Sequence, residues 1–214
     1  MPAVTSAEPK RRGRPRAYDP ARALGLARDV FWRNGYAGTS LDDLALGMNM
    51  NRPSIYAAFG DKRALYRRAV TDYAETSRAV VAEALQRPMP LREALRAVYR
   101  GARDFYSADG SRGCFLIGTA VTEALGDRDI REVVDATFGA FTVAFTERFE
   151  RAAQEGELAE HPPEVLAQIA TAALNNLAVR VRTGASADDL DALIDATVEV
   201  ICANPVTETT PARQ

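Results

Sequence analysis

Five cations fill the seven positions Lys10-Arg11-Arg12-Gly13-Arg14-Pro15-Arg16, and residues 1–68 carry 13 Lys and Arg against 6 Asp and Glu, a net +7. The 214-residue chain is at −2, so the remainder holds −9. A basic first third on an acidic body fits one end that meets a polyanion, nucleic acid first among them, although a solvated basic surface has the same composition. Within that third, Arg52 can offer a two-donor fork to guanine O6 and N7 in a major groove, or hold a phosphate instead. Thr39, Ser40, Ser54, Tyr56 and Lys62 suit phosphate oxygens. Pro53 and Ala57 share the exposed early positions, where Ala57 can meet only apolar groups such as a thymine methyl. Arg14 and Arg16 can follow the backbone or enter a minor groove, or belong to a solvated tail.

These side chains need helices to hold them. Asp19-Pro20 opens a helix to about Asn34, because Asp accepts from first-turn amides and Pro there loses no bond. Leu24, Ala27 and Phe31 recur at helical spacing, and Gly35 closes the helix. Thr39-Ser40-Leu41-Asp42 reads as a capping box for a short helix to about Met48. Asn49 tolerates positive φ, so Met48-Asn49-Met50 can turn sharply into a second short helix, Asn51 to Phe59. Two short helices about a tight turn in a basic segment make a helix-turn-helix, whose second helix can enter a groove ~12 Å wide. Asp61 then caps a long helix to about Gln86, and Arg87-Pro88-Met89-Pro90 interrupts it.

The run from Leu44 through Tyr66 resembles the TetR family of bacterial transcriptional regulators, whose pattern here is I-A-x-x-A-G-V-S-x-x-T-L-Y-x-x-F-x-x-K-x-x-L. Asn49 stands for the usual turn glycine, Ser54 for threonine and Ile55 for leucine. The likeness covers about residues 18 to 68. It implies an all-α fold, a homodimer, a near-palindromic double-stranded operator, and a small-molecule effector in the larger domain, with no cofactor. The segments expected are a flexible basic arm over 1–17, the DNA-binding domain over 18–66, a helical ligand-binding and dimerisation domain over 67–203, and a flexible tail over 204–214.

Beyond the break only helices are expected: Leu91 to Phe105, Cys114 to Leu125, Arg128 to about Glu155, Glu164 to Thr183 and Ala187 to Ala203, about nine in all. Turns are read at Asp109-Gly110, Gly126, Gly156, His161-Pro162-Pro163 and Gly184. Phe138, Phe141, Phe145 and Phe149 share one helix face. Either they are ordinary core, or with Phe105, Phe115, Cys114, Thr119, Thr142, Asn175 and Asn176 they border an apolar ligand cavity. Cys114 reads as a small buried hydrophobe or as a redox sensor. Trp32 reads as core of the small domain. Val165, Ile169, Leu174 and Leu177 on one helix, with Leu190, Leu193, Ile194 and Val198 on the next, supply a dimer face.

Other functions find little support. The chain has one His and two Cys that are far apart, so no metal-ligand set is expected. It has no H-E-x-x-H, P-loop, G-x-S-x-G or G-x-G-x-x-G motif, which leaves an all-helical enzyme without recognisable parts. A nonspecific DNA binder is the other alternative. The uncharged stretch Val165 to Val179 has 15 residues, whereas a membrane span takes ~20. The basic start lacks an apolar h-region, so a cytoplasmic protein is expected.

Overall fold

The computed structural model describes residues 18–158 and 161–203. The amino-terminal arm with Arg14 and Arg16, and the tail from residue 204, lie outside the described residues. Nine helices are present among those described: α1 Pro20–Asn34, α2 Leu41–Gly47, α3 Arg52–Phe59, α4 Lys62–Gln86, α5 Leu91–Ser111, α6 Phe115–Thr122, α7 Arg128–Gln154, α8 Pro163–Arg182 and α9 Ala187–Ile201. The all-α expectation holds.

Most of the helix starts follow from local chemistry. Asp19 accepts from the amides of Ala21 and Arg22, Asn51 from Ser54, Asp61 from Ala64 and Ser186 from Asp189, each satisfying first-turn donors that have no partner within the helix. One cap sits a residue later than expected. Ser40, not Thr39, caps α2, and Asp43, not Asp42, closes the box by accepting from the Ser40 amide at 2.8 Å. The Thr39 hydroxyl already donates to the Gly35 carbonyl at 2.6 Å, and the residue is buried.

The reversal read at Asp109-Gly110 is displaced as well, since α5 continues to Ser111 and the chain turns at Gly113 with φ +65°. An added Cβ there would lie 2.7 Å from the Ala178 carbonyl oxygen. Only glycine suits both demands. α6 is shorter than expected and ends at Thr122, after which Asp127 starts α7 by accepting from the Asp129 and Ile130 amides.

α4, 25 residues long and so about 37 Å end to end, joins the two parts of the fold. Its first half packs on α1 and α6, and it also lies along α5 and α7. Leu65, Ala69, Val70 and Ala74 are wholly buried on that stripe. The small amino-terminal core gathers Ala27, Phe31, Leu44, Ile55 and Phe59. In the larger part, α7 packs on α8, and α5 on α8 and α9. The Tyr99 hydroxyl on α5 donates to the Ala170 carbonyl of α8 at 3.0 Å. Pro90 offers α5 no side-chain cap; the Glu157 carboxylate, after α7, accepts from the Leu91 amide at 2.6 Å.

The expected dimer face divides. Leu174, Leu177, Leu190, Ile194 and Val198 are buried in this chain's own core and cannot meet a mate, a correction to the expectation. Helical periodicity turns the α8 residues toward α5 and α7 and the α9 residues toward α5 and α8, and leaves the opposite stripe to solvent. Val165 (53% exposed) and Ile169 (43%) stand on that stripe of α8 with Val179, Val200 stands on α9, and Leu193 is half-buried.

Candidate nucleic-acid interface and ligand cavities

α2 and α3 meet about Asn49, whose φ of 51° makes the turn. Ile55 and Phe59 point into the small core, whereas Arg52, Pro53, Tyr56 and Ala57 are exposed and Ser54 is half-buried. α3 therefore presents the side chains singled out from sequence on one face. Its far end is held by Arg68, which donates to the Ala58 carbonyl at 3.3 Å and lies over the Phe59 ring. Cations favour that helix end.

Arg52 is already engaged. Its Nε and Nη2 meet the two carboxylate oxygens of Asp42 at 2.8 and 2.5 Å, and this partner holds the guanidinium charged. Both side chains are more than half exposed, so water and salt screen the pair and it holds weakly. A guanine edge or a phosphate can displace it. Of the expected phosphate ligands, Thr39 is excluded by its burial, and the Ser40 hydroxyl is occupied in the capping box, where its hydrogen bond holds the Asp43 carboxyl below the ordinary carboxylate value. Lys62 sits 4.3 Å from the centre of the Tyr36 ring, so Tyr36 positions it, a role no local sequence signal announces.

At the start of α7, Asp127 is fully buried and accepts from Arg63 Nε at 2.9 Å and from Arg67 at 2.8 and 2.9 Å. The Arg67 hydrogen bonds lead in holding its carboxyl down to about 2. This latch ties the first turns of α4 to the start of α7.

The sequence model of the family described as "Bacterial regulatory proteins, tetR family" matches residues 23–69. The chain is 29% identical over 192 residues to an HTH-type transcriptional regulator of Bacillus subtilis, YezE, covering 88% of this chain and 99% of that one. It is 28% identical to the Escherichia coli HTH-type transcriptional repressor ComR, covering 85% and 88%. Among solved structures, a cysteine-substituted form of the TetR family transcriptional regulator CifR, complexed with double-stranded operator DNA, matches with a TM-score of 0.76 and 32% identity, covering 87% of this chain and 98% of that chain. The chain belongs to the TetR family. It is a DNA-binding transcriptional regulator and not an enzyme.

Two apolar cavities flank α4 in this TetR-family regulator. One, about 220 Å³, lies between α4, α5 and α7 and is lined by Tyr73, Val81, Val98, Phe105, Tyr106 and Phe141 among others, with no charged side chain among the described lining residues. The other, about 290 Å³, lies where α1 meets α4, α6 and α8, and Cys114, Phe115 and Thr119 line it. The expected pocket residues thus fall into two groups. Phe138, Thr142, Phe145, Asn175 and Asn176 line neither cavity. Phe145 stacks between Tyr99 and Phe149 in the core, and Thr142 shares a hydrogen bond with Thr171 at 3.1 Å.

Cys114 is buried, and the Tyr73 hydroxyl donates toward its sulfur at 3.7 Å. Burial pushes its thiol up, away from the reactive thiolate. Trp32 packs on Tyr73, Phe105 and Phe115, and its indole donates to the Arg112 carbonyl at 3.2 Å. It stands at the junction of the two parts, not only in the small core.

Proposed function

We propose that this regulator is a cytoplasmic, homodimeric repressor of a near-palindromic operator, released by a small apolar or amphipathic effector. One observation carries the reading: α3 packs on α4, and the apolar cavity between α4, α5 and α7 lies along that same long helix. A ligand that favours one setting of α4 shifts DNA affinity, and a coupling of this kind is typically ~1–3 kcal/mol. CifR supports operator DNA as the partner, and ComR supports repression. No helix among the described residues is long and apolar enough to cross a membrane, which suits a protein that must reach DNA.

In this reading residues 18–66 form the DNA-binding domain, and 67–203 hold the effector and the mate. Arg52 exchanges Asp42 for a base edge, Ala57 and Pro53 approach the groove, and Ser54, Tyr56 and Lys62 hold phosphates. Arg14 and Arg16 follow the flanking backbone. Phe105 and Phe141 line the effector cavity. Val165 and Ile169 meet the second copy, and twofold symmetry places the α3 helices about 34–36 Å apart or somewhat more.

The test begins with an operator selected in vitro and titrated against competitor DNA. Specific binding exceeds nonspecific binding by ~10³–10⁷. Arg52→Ala costs about 1–3 kcal/mol on that operator and relaxes one base position, whereas Lys62→Ala weakens all sequences alike and reduces the salt slope by about one. Equal losses on every sequence for Arg52→Ala would show that Arg52 reads no base.

A further inference from the structure

The larger cavity shares no lining residue with the one between α4, α5 and α7. Trp32, Phe31, Tyr66 and Phe115 contribute rings to its wall, with Phe31 and Phe115 each edge-on to Tyr66 at 5.0 and 5.9 Å between centroids. At about 290 Å³ it is roughly twice the ~150 Å³ cavity that holds one benzene ring. Aromatic walls of this kind favour flat rings.

Two hydroxyls deep in that wall, those of Thr119 and Tyr66, have a definite sense, while Arg182 at its exposed edge donates to the Arg112 carbonyl at 2.9 Å and the Thr122 and Thr183 hydroxyls donate to the carbonyls of Gly118 and Arg180. The Thr119 hydroxyl spends its one proton on the Phe115 carbonyl at 2.9 Å, so in the 2.9 Å contact between Thr119 and Tyr66 it is Tyr66 that donates. Burial pushes the Tyr66 hydroxyl up to about 12, so it keeps its proton. Both oxygens are left with lone pairs alone, able to accept and unable to donate.

We propose that this junction cavity is a second small-molecule site, which takes a flat bicyclic aromatic compound carrying a hydrogen-bond donor. The site does not rest on the effector reading given above, because a different cavity carries that reading. Two glycines separate the two. Gly118 on α6 lines the junction cavity and Gly101 on α5 lines the other, and an added Cβ at either meets no atom within 4 Å. Leucine at either place fills space, and it improves a helix position that glycine weakens.

The test is calorimetric titration of the intact protein with 2-naphthol, compared with 2-methoxynaphthalene, which lacks the donor. Trp32, the chain's single tryptophan, gives a second readout through its emission. We expect saturable 2-naphthol binding with a change in Trp32 emission. Gly118→Leu weakens it at least tenfold and Gly101→Leu leaves it unchanged. The methyl ether binds about three- to tenfold more weakly, the range for one hydrogen bond. Thr119→Val, which keeps the shape and removes one of the two acceptors, narrows the difference between the two compounds. No saturable binding, unchanged binding in Gly118→Leu, or loss in Gly101→Leu instead would overturn the proposal; equal affinities for the two compounds would overturn the donor requirement.

Discussion

Asp127→Asn tests the latch between α4 and α7. Asparagine keeps the shape, and its Oδ1 can still accept from the amides at the start of α7, so the change removes charge and little else. The wild-type carboxyl is held at about 2 against an ordinary 3.8, and that difference corresponds to about 2.4 kcal/mol. Arg63 and Arg67 keep 36% and 44% of their side-chain surface in water, and that exposure screens the charges and reduces the expected loss to about 1–2 kcal/mol. The folded value lies below the unfolded one, so the contribution is complete above about pH 4 and disappears as pH falls toward about 2, with near half gone by about pH 3. Urea unfolding followed by circular dichroism, at matched protein concentration and at about pH 7, 4 and 3, measures the gap between the two proteins. It should be widest at neutral pH and close by about half at the lowest. A gap of the same size at all three pH values, or none at neutral pH, would refute the electrostatic account.

Gly113→Ala meets two obstacles, the positive φ and the Ala178 carbonyl oxygen 2.7 Å from the new Cβ, and a loss of about 2–4 kcal/mol is expected in the same unfolding assay. At Asn49, φ 51°, replacement by Ala should cost about 1 kcal/mol and replacement by Gly almost nothing, which thermal melts of the two variants will show. Ile169→Glu removes no core contact, since the side chain stands on the exposed stripe of α8; light scattering should find a folded monomer at micromolar concentration, and a persistent dimer would move the mate elsewhere.

Much of the helical pattern can be read along the chain because its signals are local. Asp19, Asn51, Asp61 and Ser186 each satisfy amides within three residues, and a capping side chain needs no distant partner. Legibility fails where neighbours compete for one role. Thr39 and Ser40 are both good caps, and the choice falls to the Gly35 carbonyl, which engages Thr39. Gly110 and Gly113 both invite a turn, and the backbone of α8 decides for Gly113. The face of α3 was legible as a face, but the carboxylate on Arg52 comes from Asp42 in the preceding helix. The apolar stripes of α8 and α9 have the right period, yet period alone does not say which stripe meets the protein's own core. The two cavities require helices far apart in sequence, which is why the expected pocket residues fell between them.

The cap on α5 bears on how the protein is made. Leu91 leaves the ribosome 66 residues before Glu157, the carboxylate that receives its amide. At ~5–20 residues per second, translation leaves that helix start without its partner for about 3–13 s. Through that interval the amino-terminal helices α1 to α3, whose caps all come from their own segment, can already close, while α5 waits for the chain beyond α7. The helix-turn-helix segment thus has its caps at hand before the Leu91 amide can meet Glu157.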